Sequence, residues 1–378
     1  MIPAGLLFCG GGEPDYGRRL SRLRWRRRFP EARPVAAKPS DRAAEVLAGA
    51  SSWVSVRDES ALPFGGAAVA PRPGKVVLPA FVGDFAPAPP HTLAELERTE
   101  FRPDCEGSAA AAERAPALVF RREDFEAGPG ESLDAFLRRL ASPPTPRAVE
   151  PGFGVFVFRD PSESPRPEVA RLVPESCRRI LDVGCGAGAT AAELRRLRPR
   201  LAVEGVEQRA EAAALAREKL SRVHEGDACR VLRRLSDEGS RYDGFLFADV
   251  LEHLPEPVEA LALARRLAEP GALLVASVPN AGHLSLVRDL VRGRFDPLPA
   301  GLSDSGHLRW FTRQSLGDML EEAGWTVEAI EGERGSEPAC AEEFLGRLAG
   351  RRLEPEALLT YQWIAVARAG WTGQRSDS

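Results

Sequence analysis

Lysine is nearly missing from this chain. Lys38, Lys75 and Lys219 are three of a Lys+Arg total of 51 in 378 residues. The bias is compositional, because 55 acidic residues bring the formal net charge to −4. Residues 1–150 hold 21 Lys+Arg and 20 Asp+Glu, so bulk charge marks neither half as a polyanion-binding module. Cysteine is also sparse: Cys9, Cys105, Cys177, Cys185, Cys229 and Cys340 form no C-x-x-C pair. With five histidines in all, a zinc knuckle is excluded. A disulfide framework is not expected in so long a chain, and a reducing cytoplasm is the expected setting. No window approaches the 18 or so apolar residues of a membrane span. The opening "MIPAGLLFCGGG" places its positive charges after the apolar run, the reverse of a signal peptide.

Apolar residues make up 43% of the chain, enough for a sizeable core. Residues 1–175 hold 23 of the 32 prolines, which predicts many turns and extended segments there. The densest stretch, 141–168, reads as a linker containing one short strand, "FGVFVF" (153–158). Beyond it the pattern becomes regular. Strands are expected at 179–183, 201–206, 221–224, 242–249, 273–278, 325–330 and 361–367. Helices are expected at 190–197, 210–220, 228–235, 257–267, 284–291 and 312–323. This alternation predicts parallel β-α-β units.

The stretch "RRILDVGCGAGAT" (178–190) runs from a strand into glycines at 184, 186 and 188, then into a helix. Glycine lets the backbone turn tightly and approach a ligand, and the helix start offers free N–H groups. Alone, that pattern also fits a dinucleotide site loosely. Asp182 narrows it, because a carboxylate beside the loop suits a cationic ligand better than a pyrophosphate. Nineteen residues after Gly188, "VEGVEQ" ends a second strand at Glu207, placed to accept bonds from ribose hydroxyls. "HEGDA" (224–228) and "YDGFLFADVLEHLPEP" (242–257) follow in order, then "LAEPGALLVASVPN" (267–280).

Together these segments resemble the class I S-adenosylmethionine (SAM) methyltransferases over about residues 176–332, with 361–367 completing the sheet. The resemblance implies an α/β, Rossmann-like seven-stranded sheet of order 3-2-1-4-5-7-6, its seventh strand antiparallel. A separate Pro-rich α/β region precedes it. The implied cofactor is SAM. Its site residues are Asp182 for the methionine amino group, Gly184, Cys185, Gly186 and Gly188 in the loop, and Glu207 and Gln208 at the ribose. Asp227 and Ala228 lie at the adenine, and Asp249 and Val250 where cofactor and acceptor meet. Asp227 also suits the N-cap of the following helix. Cys185 reads as a small packed residue.

A hydroxyl acceptor must lose a proton, so His253 in "DVLEH" is the first candidate base, with Asp249 beside it. The alternative is that His253 caps or packs. No metal site is assigned, although Asp249, Glu252 and His253 also suit a hard divalent ion. That arrangement is similar to ubiquinone-biosynthesis O-methyltransferases, where another acid stands at 249. In "SDSGHLRWFT" (303–312), His307, Arg309 and Trp310 are candidates to line the acceptor pocket, with His307 a third catalytic candidate. The alternative is a loop anchor with Thr312 capping the next helix. Segment 281–306 reads as a lid, with His283 an outside candidate. The Asn/Asp-Pro-Pro-Tyr/Phe motif is missing after the fourth strand, which disfavours amino-group methylation of adenine or glutamine.

The N-terminal region is less legible. "YGRRLSRLRWRRRFPEAR" (16–33) holds eight arginines and reads as a solvated helical face, with phosphate contact as the alternative. The stretches "PVAAKPSDRAAEVLAGASSWVSVRDESALPFGG" and "APALVFRREDFEAGPGESLDAFLRRL" within residues 34–145 resemble pieces of a degenerate family-2 glycosyltransferase, its Asp-x-Asp reduced to Asp58-Glu59. The domains expected are 1–145, a linker at 146–175, and a methyltransferase at 176–370. The function expected is methyl transfer to a hydroxyl of a small molecule, with a sugar or glycan precursor favoured. The rivals are RNA or protein methylation, and a SAM-binding scaffold without turnover. The expected partner is a small-molecule acceptor, without nucleic acid or a membrane span.

Overall fold

A computed structural model describes residues 5–9, 16–56, 62–64, 69–83, 92, 117–142, 144–156, 164–335, 346 and 355–370. The chain divides into two compact units: 1–159 with 295–306, and 160–294 with 307–378.

The first unit is a seven-stranded mixed sheet of order β2-β1-β3-β6-β5-β7-β4. Its strands are β1 (Gly5–Cys9), β2 (Arg33–Ala37), β3 (Ser52–Val56), β4 (Leu62–Phe64), β5 (Val76–Gly83), β6 (Ala117–Arg121) and β7 (Arg147–Phe156). Helix α1 (Tyr16–Arg28) covers one face, where Trp25 and Phe29 pack on Leu6, Phe8, Val54 and Val119. Helices α2 (Ala43–Leu47) and α3 (Leu133–Ala141) cover the other, packing on Leu7, Trp53, Val76 and Phe120. The expected linker is corrected here. Arg147–Phe156 pairs with β5 from Val76↔Arg147 to Gly83↔Phe156, so it is a strand inside the sheet and the unit runs to 159. Its one proline and two glycines gave a turn-rich composition, yet pairing on both sides holds it extended.

The second unit has the order β10-β9-β8-β11-β12-β14-β13, which is 3-2-1-4-5-7-6. The strands are β8 (Arg179–Val183), β9 (Ala202–Glu207), β10 (Arg222–Glu225), β11 (Tyr242–Ala248), β12 (Ala268–Pro279), β13 (Trp325–Arg334) and β14 (Thr360–Ala369). β14 is antiparallel to both its neighbours, and the first five strands are parallel. This is the expected Rossmann-like methyltransferase sheet. Alternate residues feed two layers. Leu181, Phe245, Phe247 and Leu274 face a core with helices α7 (Ala228–Asp237), α8 (Pro257–Leu267) and α10 (Arg313–Glu322). Ile180, Leu246 and Val275 face α4 (Pro167–Arg171), α5 (Ala189–Leu197) and α6 (Ala210–Ala216). Each such side chain contributes roughly 1.5–3 kcal/mol by burial.

Three expected boundaries move by four residues or more, and one is β13, which runs on to Arg334 rather than 330. α6 ends at Ala216 rather than 220, and Leu220 beyond it lies against Gly188 and Gly205. β12 begins at Ala268 rather than 273, because Pro270-Gly271 forms a bulge in the strand, with the register shifting between Tyr242 and Gly244. No helix among the described residues is long and apolar enough to cross a membrane.

Candidate active site

The parallel strands place their C-terminal ends along one edge, and the chain reverses its winding between β8 and β11. Such a switch point opens a crevice for ligands. The loop after β8 forms its floor. Gly184, Gly186 and Gly188 all have positive φ (74, 53 and 75°). A Cβ at Gly184 would lie 2.5 Å from Val250 Cγ2, and one at Gly188 would lie 2.5 Å from Leu220 Cδ1. Conformation and packing therefore both require glycine at these two positions. Val250 thus closes on the loop from the β11 side.

Glu207, at the end of β9, holds the loop. Its Oε2 accepts the Gly186 N–H at 2.9 Å and its Oε1 the Arg209 N–H at 2.8 Å. Asp182 is buried on β8, and that burial, with the negative charge of Glu207 added, pushes its carboxyl up to about 7. Glu207 is also paired with Arg209 at 3.6 Å, so it is at Asp182 that a cationic ligand would offset the cost of ionisation. Cys185 packs its Sγ against Gly205, and burial raises its thiol pKa strongly, which keeps the thiol neutral. Gln208 is exposed. Asp227 is exposed as well and caps α7, its Oδ1 accepting the Arg230 N–H at 2.9 Å, while Ala228 is buried behind it.

Asp249, directly after β11, is the only non-glycine residue with positive φ (52°) among those described. Such a conformation costs on the order of 1–3 kcal/mol and persists where its surroundings over-determine it. Here Oδ1 accepts from Ser277 Oγ at 2.8 Å and from Gln362 Nε2, while Oδ2 pairs with Arg166. The backbone N–H of Arg166 in turn donates to Thr190 Oγ1 at 3.1 Å, tying this segment to the start of α5. Spacing could not reveal Arg166, Ser277 or Gln362, which come from three distant segments and meet only in the fold.

The next turn, Leu251–His253, carries the histidine. His253 is exposed and its ring centroid lies 4.9 Å from that of His307. His307 lies 5.5 Å from the Trp310 ring. The Glu252 carbonyl accepts the N–H groups of Leu308 (2.8 Å) and Arg309 (3.1 Å), which clamps the 307–310 loop to this turn. Glu252, buried, can offer a ligand atom within 4.8 Å of those of His253 and His307. The sequence grouping of Asp249 with Glu252 and His253 is therefore corrected: the positive φ turns Asp249 towards Arg166, and His307 takes the third place.

Arg309 binds the Pro255 carbonyl, and Trp310 stays half-exposed. Thr312 caps α10 in a capping box with Ser315. His283 is buried and caps α9 (Leu284–Val291), accepting the Ser285 N–H at 3.3 Å. Of the expected lid, Phe295–Gly306 belongs to the first compact unit, where Arg24 pairs with Asp296 at 3.4 Å. Asp58 and Glu59 lie outside the described residues.

A doubly wound sheet whose switch-point crevice joins a three-glycine loop to two buried acids defines a nucleotide-type cofactor domain suited to a positively charged ligand. The chain belongs to the methyltransferase-domain family, whose model matches residues 124–330, more than half of it. It is 29% identical over 155 residues to a ubiquinone biosynthesis O-methyltransferase of Roseobacter denitrificans, covering 39% of this chain and 59% of that protein. Against the protein of the same name from Nitrosospira multiformis it is 26% identical over 160 residues, covering 40% and 64%. The chain thus spans about three fifths of the length of these curated relatives. Among solved structures, a SAM dependent methyltransferase from Archaeoglobus fulgidus matches at 23% identity with a TM-score of 0.40, covering 53% of this chain and 91% of that one. An O-methyltransferase family protein from Burkholderia thailandensis matches at 16% with a TM-score of 0.37, covering 55% and 56%. The cofactor this family implies, SAM, fits the donor set: it brings an ammonium and a sulfonium charge to a crevice with two buried acids.

Proposed function

We propose that this chain transfers the methyl group of SAM to a hydroxyl oxygen of a small molecule. The observation that carries the reading is Asp182, a buried carboxyl beside the glycine loop with no use for an anionic ligand. In this reading Asp182 takes the methionine amino group and Glu207 the ribose hydroxyls, exchanging its bond to Gly186. Asp227 and the Ala228 N–H meet the adenine, with Gln208 and Val250 at the margins. When bound, the cofactor supplies a methyl group already activated by its sulfonium charge. The protein must then align the acceptor, exclude water and remove one proton. His253, exposed at the end of β11, accepts the hydroxyl proton on its imidazole, with His307 against it. Asp249 acts here by setting the backbone that carries His253.

Transfer to oxygen is supported by the curated relatives, which are named O-methyltransferases. Their name also refers to ubiquinone biosynthesis, whereas the N-terminal resemblance tilts the acceptor towards a sugar. The test is calorimetric titration of SAM and its demethylated product into the whole protein, with Asp182→Ala beside it. A panel of phenol and sugar hydroxyl acceptors follows. Micromolar binding lost in the variant, with methylated product from the panel, supports the reading. Binding without turnover on any acceptor leaves a SAM-binding scaffold, and no binding by folded protein removes both.

A second reading rests on the Glu252, His253 and His307 cluster. These three side chains can hold a divalent cation that orients two acceptor oxygens. Activity abolished by a chelator and restored by Mg²⁺ or Mn²⁺ would favour it over the base.

A further inference from the structure

The first unit contains a cleft of about 490 Å³ between α1 and β2, the edge strand of its sheet. The pleat explains why it is open. Leu6 and Phe8 of β1 face α1 and pack with Trp25 and Phe29. Their register partners on β2 are Pro34 and Ala36, which share that face, are small and stay exposed. Val35 packs with the core of the opposite face. The outer half of α1 therefore overhangs a strand with no large side chain to meet it.

That overhang is basic. Arg19, Arg22 and Arg26 follow helical spacing along one stripe and line the cleft, while Trp25 between them turns inward. The Arg22 guanidinium carbon sits 5.2 Å from the centre of the Phe8 ring, a cation–π contact at the floor. The thirteen residues of α1 include no acid. The volume lies within the range of small-molecule sites. Guanidinium groups match the oxygens of phosphate geometrically, and the floor of Phe8, Pro34 and Ala36 is apolar.

We propose that this cleft binds a small organic phosphate, its phosphate on Arg19, Arg22 and Arg26 and its apolar body on Pro34 and Ala36. A polyanion such as RNA fits less well, because acidic residues balance basic ones across residues 1–150. The proposal does not depend on the methyl-transfer reading.

The test is calorimetric titration of 1-naphthyl phosphate into the full-length protein, with inorganic phosphate and 1-naphthol as its two halves. One molecule is expected per chain, with each half binding about tenfold or more weakly. Arg22→Gln/Arg26→Gln should weaken binding by at least about tenfold. Ala36→Leu, which keeps every charge and fills the floor, should do the same. Circular dichroism and thermal melting check that the variants fold, and Ala36→Leu is the arm that does not alter the helix. The proposal is overturned if folded wild type does not bind the probe, if inorganic phosphate binds as tightly as naphthyl phosphate, or if Ala36→Leu leaves binding unchanged. Tighter binding of an RNA oligonucleotide, with a salt slope of several phosphates, overturns it in favour of a polyanion face.

Discussion

Asp182 concentrates the chemistry of the site in one side chain. Its carboxyl titrates near 7 because burial and Glu207 oppose its ionisation. A cationic ligand binds the ionised form, so binding lowers this pKa. SAM affinity should be at its plateau above about pH 7 and fall as the pH drops below it, approaching tenfold per unit. Calorimetry from pH 5.5 to 8.5 measures this, and an unchanged affinity would remove Asp182 from the ligand. His253 makes a separate prediction. His253→Ala should lower kcat by about 10²–10⁴ with SAM affinity retained if it is the base. Sensitivity to a chelator in the wild type would assign it to a metal instead. Both residues were legible because each lies within a few residues of a strand end in a short motif. The Arg166, Ser277 and Gln362 bonds to Asp249 were not, since sequence distance bears no relation to their meeting.

At the scale of the element, most of the second unit could be read. β8 and α8 have the boundaries that their apolar periodicity and flanking Pro257 indicate. Of the misread ends, that of β12 was decided by a bulge. Gly188→Ala tests how far the loop depends on glycine. A positive φ and a Cβ 2.5 Å from Leu220 Cδ1 should cost about 1–3 kcal/mol, measured by denaturant unfolding. Asp227 separates two roles. Asp227→Ala should destabilise by about 1 kcal/mol, whereas Asp227→Ser should keep the cap and stability. If Asp227 also meets adenine, both variants should weaken SAM binding.

For the whole molecule, two features reach across the chain. Glu204 lies buried among His224, Arg179 and Tyr242, and the hydrogen bond to His224, then those from Arg179, hold its carboxyl down to about 2. An acid depressed in this way stabilises the fold above its ordinary range and loses that support as the pH falls towards 2. Glu204→Gln should therefore flatten the acid limb of the stability curve by up to about 3 kcal/mol between pH 5 and 2. The second feature is Phe295–Gly306. Leu298, Ala300 and Leu302 are buried, and the segment belongs to the first unit although it lies between elements of the second. A fragment of 160–378 should thus be less soluble and melt lower than the full chain, whereas a self-sufficient C-terminal half would show neither change.

The amino-acid order alone determined the seven strands of the second unit and their succession. Periodicity is local, and parallel β-α-β units join elements close in sequence. The first unit escaped that reading because β3–β6 and β5–β7 pair across long intervals, and extended strands containing proline and glycine resemble turns until a partner strand holds them. Tertiary structure alone decided that Asp249 faces Arg166, that His307 stands beside His253, and that small residues on an edge strand leave a basic cleft open. Each of these depends on segments brought together by packing, which no single stretch of sequence encodes.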